Sequence, residues 1–287
     1  MGTVPLTSMA EIAPLRPAAT VIVLRPSAPH PFEVLLVRRS DKVAFMAGAH
    51  VFPGGRVDPT DDAAPAEACE GFATLGRCTD LTAADEARYR VAAIRELIEE
   101  AGVLLARRNG EMVDADTAAA VRASLQPHVS FVAQLAAQGL TVALDAVMPF
   151  AHWVTPEIEI RRFDTRFLLA RVPADQDASH DDGEMTDLEW MAPADALARA
   201  ASRAINLPPP TWTTLTRLDT FASIDAAWAW AAATPIPRIQ PGFHRQGDAT
   251  IFTLPGDPAF PGPAAGGDLF EQRRFELVDG AWQPARS

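Results

Sequence analysis

Residues 89–105 carry the strongest periodic pattern in the chain: Val91, Ile94, Ile98 and Ala101 recur at three- and four-residue spacings and so share one stripe of an α-helix. Such a helix is stable only when another element covers the stripe. Two β-branched, apolar runs upstream, residues 19–24 and 32–37, suit that task. The prolines at 26, 29 and 31 between them stop strand pairing and favour a turn, which predicts a β-hairpin. A third extended segment, residues 49–52, ends at Pro53-Gly54-Gly55, where two glycines permit backbone conformations closed to other residues.

The remaining chain mixes both periodicities. An Ala-rich helical pattern covers residues 115–140, and residues 147–154, 166–172 and 187–191 have strand composition. Pro193 opens a short helix at its first turn, Pro208-Pro209-Pro210 leads into a helix at 211–220, and another at 225–232 carries Trp228 and Trp230. Residues 58–84 are acidic, Ala-rich and weakly periodic, which predicts a loop or small helical excursion outside the sheet. Beyond Pro235 the Pro and Gly content rises, predicting an irregular extension with two short strands near 250–254 and 274–278. Strands interleaved with helices predict an α/β fold. No internal repeat is present.

Charge narrows the partners. Lys plus Arg number 25 against 37 Asp plus Glu, a net charge of −12, so no global basic field draws in nucleic acid or an anionic membrane. A polyanionic substrate then needs a local cationic group or a metal ion. Cys69 and Cys78 lack the C-x-x-C spacing of a zinc or redox site and read as free thiols of a reducing compartment. With no secretory leader pattern, no long apolar run and no Ser-Lys-Leu ending, a soluble cytoplasmic protein is expected.

On a helix, positions 96, 99 and 100 are three and four residues apart, so Glu96, Glu99 and Glu100 share a face opposite Ile94 and Ile98. A solvated acidic surface has the same pattern. Clustered carboxylates also suit hard divalent cations such as Mg2+ or Mn2+, which relieve their mutual repulsion. Asp58, Asp61 and Asp62 look calcium-like, but no glycine or closing glutamate follows at EF-hand spacing, so they are read as loop and cap residues.

Phe52-Pro53-Gly54-Gly55 upstream and Arg95-Glu96-Leu97-Ile98-Glu99-Glu100-Ala101-Gly102-Val103 downstream resemble the Nudix hydrolase family. The second half of its box, R-E-U-x-E-E-x-G-U with U aliphatic, is matched at every specified position. The family places thirteen residues between the box glycine and the arginine; here 39 separate Gly55 from Arg95, an insertion of 26. Counted back eight residues from Arg95, the box's first glutamate falls on Ala87; the adjacent Glu86 is turned by about 100° and is not counted as a ligand. The resemblance implies an α/β/α sandwich around a mixed sheet. It also implies that Glu96, Glu99 and Glu100 bind metal or orient the attacking water, that Arg95 holds a neighbouring glutamate, and that the Gly55 carbonyl is a further ligand. Family members often supply a base or ligand from a later loop, for which Glu184 is the candidate.

The segment Leu35-Leu36-Val37-Arg38-Arg39-Ser40, continuing through Gly48 to Gly55, is similar to a coenzyme A diphosphatase signature, with Val37 for its threonine and Ala44 for its arginine. The split box, Arg162-Phe163-Asp164-Thr165-Arg166-Phe167 and Pro208-Pro209-Pro210-Thr211 resemble the nucleoside diphosphate-linked moiety X motif 19 branch, which is associated with hydrolysis of coenzyme A and its acyl esters. Arg39 is a candidate for substrate binding, and Arg161, Arg162 and Arg166 are candidates for phosphate contacts or for charges guarding a strand edge. Phe163, with Trp153 and Phe167, is a candidate to stack on a base or to fill the core. The expected organisation is a tail at 1–17, a Nudix domain at 18–234 with its insertion near 58–88, and the extension at 235–287. Insertion and extension are candidates for shaping the pocket or forming a homodimer. The expected activity is metal-dependent hydrolysis of a diphosphate in coenzyme A or acyl-coenzyme A. ADP-ribose or a dinucleotide such as NADH is the alternative substrate, and a non-catalytic nucleotide-binding module the alternative class.

Overall fold

The computed structural model describes residues 12–40, 46–178, 185–247, 249–263 and 266–285, so Ala44 and Glu184 lie outside the described residues. In chain order the elements begin with β1 (Leu15–Pro26), β2 (Phe32–Arg39), β3 (His50–Val51), β4 (Gly54–Arg56), β5 (Cys69–Glu70) and α1 (Ala83–Ala101). They continue through β6 (Ala106–Arg108), β7 (Glu111–Met112), α2 (Ala115–Ser124), α3 (Phe131–Ala136), β8 (Thr141–Ala143), β9 (Val147–Val154), β10 (Arg162–Arg171) and β11 (Met185–Met191). Helices α4 (Pro193–Ala201), α5 (Pro209–Leu218) and α6 (Ile224–Ala233) precede β12 (Arg238–Ile239), β13 (Gly242–Gln246), β14 (Ala249–Thr253), β15 (Arg274–Val278) and β16 (Ala281–Pro284). Among the described residues no helix is long and apolar enough to cross a membrane.

The central sheet is mixed, ordered β11-β2-β1-β10-β9-β12, with β3 on β2 and β4 on β1. β1 runs parallel to β10 from Leu15 opposite Arg162 to Leu24 opposite Arg171, and antiparallel to β2. Strand alternation divides its side chains between two cores. Ala19, Val21 and Val23 join the core covered by α1, α2 and α3, whereas Ile22 and Leu24 join the core covered by α4, α5 and α6. The result is the expected α/β/α sandwich.

Helix α1 starts at Thr82, whose side chain accepts from the Asp85 N–H at 3.1 Å, and stops at Gly102, which adopts φ 70°. Val91, Ile94, Leu97, Ile98 and Ala101 are all fully buried. Burial of each large aliphatic side chain contributes ~1.5–3 kcal/mol. That outweighs the few tenths of a kcal/mol by which neighbouring like charges weaken a helix.

Two segments differ from expectation. The insertion does lie outside the central sheet, but it is ordered by short 3-10 turns and by β5, which joins a second sheet, β5-β8-β6-β7. Buried charge fixes it. The fully buried Arg90 donates to Glu86 at 2.5 Å, to Thr74 Oγ1 at 2.8 Å and to the Leu144 carbonyl at 2.8 Å, while Glu86 accepts from the N–H groups of Gly76 and Cys78. The C-terminal extension, expected to be irregular, is a four-stranded antiparallel sheet, β13-β14-β15-β16, in which the two anticipated strands are the inner pair. Phe275 in that sheet packs on Trp212 of α5 at 6.2 Å between ring centroids.

Replacing Arg90 by Met would leave the Glu86 carboxylate buried without its cation. The expected loss is ~3–5 kcal/mol, read as a lowered urea midpoint at unchanged slope.

Candidate active site

The Pro53-Gly54-Gly55 turn brings β4 against α1, and both glycines are demanded by contact. A Cβ on Gly54 would lie 2.3 Å from the Ala19 carbonyl oxygen, and one on Gly55 would lie 2.4 Å from Glu96 Oε1. The Gly54 N–H donates to Glu100 Oε2 at 2.8 Å. Box loop and box helix therefore meet through glutamates.

Arg95 organises the rest. Its Nη1 donates to Glu96 Oε1 and to Glu99 Oε2, both at 2.9 Å. Its Nε and Nη2 donate to the two oxygens of Asp61 at 2.7 and 2.9 Å, and Nη2 also reaches the Arg56 carbonyl at 3.0 Å. Burial opposes the charge on Arg95, but Asp61, Glu96 and Glu99 more than offset it and hold the guanidinium protonated. Burial pushes the Glu96 carboxyl up to about 7 in spite of Arg95, and it raises Glu99 as well. Desolvation dominates at both positions.

Among the described residues no three His, Cys, Asp or Glu side chains close on one point as a preformed metal cage. Arg95 holds Glu96 and Glu99, and the Gly54 N–H holds Glu100. The donor set nevertheless fits a hard divalent cation: all its atoms are oxygens, and the carboxylate nearest Gly55 is desolvated enough that a cation would relieve it.

Asp61, a loop or cap residue by its sequence pattern, has a different role in the structure. Its side chain is fully buried and grips Arg95 with both oxygens. Counting forward finds it. A box with thirteen residues between glycine and arginine, and its first acid eight before the arginine, has that acid six residues after the glycine, which is Asp61. The insertion thus follows this acid rather than preceding it, and Ala87, fully packed in the core, needs no carboxylate. Glu86 faces the insertion and belongs to the Arg90 pair.

A cleft of about 230 Å3 opens beside Gly54. Of the four residues assigned to substrate, Arg39 and Phe163 line it. Strand alternation puts Phe163, Thr165 and Phe167 on the cleft side of β10 and turns Arg162 and Arg166 away. Arg162 donates to the Thr155 and Ala13 carbonyls, and Arg166, 4% exposed, makes a two-pronged pair with Asp80 of the insertion at 2.9 and 2.6 Å. Both arginines are structural ties, not cleft groups. Trp153 and Phe167 are at once buried and cleft-lining. Burial pushes the Cys69 and Cys78 thiols up to about 11, so neither is a nucleophile near neutral pH.

Asp61→Asn keeps the shape of the side chain and removes its charge from Arg95. A fall in kcat of ~10–100-fold is expected, with the circular dichroism spectrum retained and Asp61→Glu less impaired. Wild-type turnover in Asp61→Asn would remove Asp61 from the positioning of Arg95.

The family model described as the NUDT19 Nudix domain matches residues 63–218, more than half of the chain. The acyl-coenzyme A diphosphatase NUDT19 of Xenopus laevis is 28% identical over 272 residues, covering 80% of this chain and 72% of the relative. The Homo sapiens protein of the same name is 28% identical over 287 residues, covering 85% of this chain and 76% of the relative. A crystal structure of a Nudix hydrolase from Alicyclobacillus acidocaldarius superimposes with a TM-score of 0.64 at 29% identity, covering 79% of this chain and 99% of that one. The sandwich, the Arg95-centred glutamates and the extent of the matched domain together make this chain a member of the NUDT19 Nudix domain family.

Proposed function

We propose that this chain hydrolyses the diphosphate linkage of coenzyme A or an acyl-coenzyme A, using Mg2+ or Mn2+, in the cytoplasm. The observation that carries the reading is the box helix, its glutamates held by Arg95 and bound through Glu100 to the Gly54-Gly55 turn, with a cleft opening beside that turn. The relatives named acyl-coenzyme A diphosphatases support the substrate. Water would add to one phosphorus and the P–O–P bridge would break, leaving two phosphate monoesters, adenosine 3′,5′-bisphosphate and a phosphopantetheine product.

Glu96, Glu99 and Glu100, with the Gly55 carbonyl, would hold the divalent cation. When bound, such a cation neutralises charge on phosphoryl oxygens and lowers the pKa of coordinated water. Arg95 fixes the rotamers of Glu96 and Glu99 from behind, so the donors are oriented before substrate arrives. Arg39 in the cleft supplies positive charge toward substrate phosphates. Glu184 remains the candidate for a base contributed from outside the box.

Purified protein incubated with Mg2+ or Mn2+ and a panel of coenzyme A, acyl-coenzyme A, ADP-ribose and NADH, with products identified by mass, tests the reading. Cleavage of the coenzyme A species is expected, and chelation by EDTA should abolish it. Efficient cleavage of ADP-ribose or NADH alone would overturn the substrate assignment. Glu99→Gln combined with Glu100→Gln should lose hydrolysis while remaining folded, because Glu99 is exposed and a glutamine oxygen at 100 still accepts from the Gly54 N–H. Undiminished turnover in that variant would overturn the cation site.

A further inference from the structure

We propose that the C-terminal sheet walls an acyl-binding subsite, in which the apolar arm of an acylated substrate lies against Phe243 of β13 and Trp282 of β16; this rests on the acyl-coenzyme A reading above. Four observations lead there. The cleft lined by Phe243 and Trp282 is also lined by Gly54, whose N–H holds Glu100, so it adjoins the turn that the box helix binds. Its volume of about 230 Å3 is below the ~300–1,000 Å3 of sites that enclose a drug-sized ligand, so it takes one arm of a large substrate.

The lining is mainly apolar: Val51, Phe52, Pro208 and Pro209 line the cleft with the two rings, alongside Arg39, Glu159 and four threonines. Within the extension, Phe252 and Phe275 are buried, whereas Phe243 and Trp282 stay partly open in edge-on contact at 6.3 Å. Two large rings kept open at the cleft rim form a surface that an alkyl chain would cover.

The test compares the full-length wild type with Phe243→Ala on coenzyme A and octanoyl-coenzyme A. The loss in kcat/KM for the octanoyl ester should exceed the loss for coenzyme A by about tenfold and should appear in KM, the signature of a binding contact. Phe243→Trp, which keeps an aromatic ring in the sheet while narrowing the cleft, should move the preferred acyl chain to a shorter length; this variant decides the matter if the alanine variant fails to fold. Equal losses on both substrates would place the ring against the nucleotide or the shared pantetheine and overturn the subsite. So would unchanged selectivity in both variants. Calorimetry in EDTA separates the subsite from the reading beneath it. Tighter binding of octanoyl-coenzyme A than of coenzyme A, weakened by Phe243→Ala, upholds the subsite even when the wild type cleaves neither compound, and equal binding overturns it.

Discussion

One guanidinium holds the candidate site together. Arg95 directs its nitrogens to Asp61, Glu96, Glu99 and the Arg56 carbonyl, and so links the segment after the glycine turn to the face of α1. A planar fork can serve these acceptors at fixed angles, whereas an ammonium group would meet them only as a point charge. The positive charge also lets two raised carboxyls, Glu96 and Glu99, stand side by side on one helical face. Without it, their desolvation would favour neutral acids, which make poor ligands for a hard cation.

The same interaction explains how the box tolerates interruption. Between Asp61 and Arg95 lie 33 residues where the family has seven. Closing a longer loop costs only ~0.6 kcal/mol per doubling, so the added cost is on the order of 1–2 kcal/mol. Contacts of the inserted residues offset it. Arg90 binds Glu86 and Thr74, Arg166 binds Asp80, and Arg77 reaches the Ala231 and Thr234 carbonyls at the end of α6. What the catalytic helix requires is the carboxylate at its arginine, not continuity of the chain between them.

This distinction also marks what the sequence could and could not disclose. The stripe on α1 and the strand at Val147–Val154 were legible because each is a local pattern, repeated within one element. The helical pattern at 115–140 resolves into α2 and α3 on either side of Pro127, which cannot donate a helical hydrogen bond and marks the break. Asp61 stayed hidden because its role depends on a partner 34 positions away. The C-terminal sheet stayed hidden for a related reason. Its strands have five residues or fewer, and their order comes from distant packing such as Phe252 on Phe275 and Phe275 on Trp212. Arg162 and Arg166 were misplaced because a strand alternates faces: recognising the segment does not reveal which parity meets the cleft.

The fate of the arginines bears on how an acidic protein handles an anionic substrate. With a net charge of −12, long-range attraction works against phosphates, yet Arg90 and Arg166, both buried, and Arg95, half-buried, are engaged in internal pairs rather than displayed. Arg39 lines the cleft together with Glu159, and in the proposed reading a cation on the glutamates completes the positive charge there. Binding energy for the rest of a large substrate must then come from apolar contact, which is insensitive to the sign of the surrounding field. An aromatic wall built from the C-terminal sheet meets that requirement, and it makes the extension part of the same physical solution as the box.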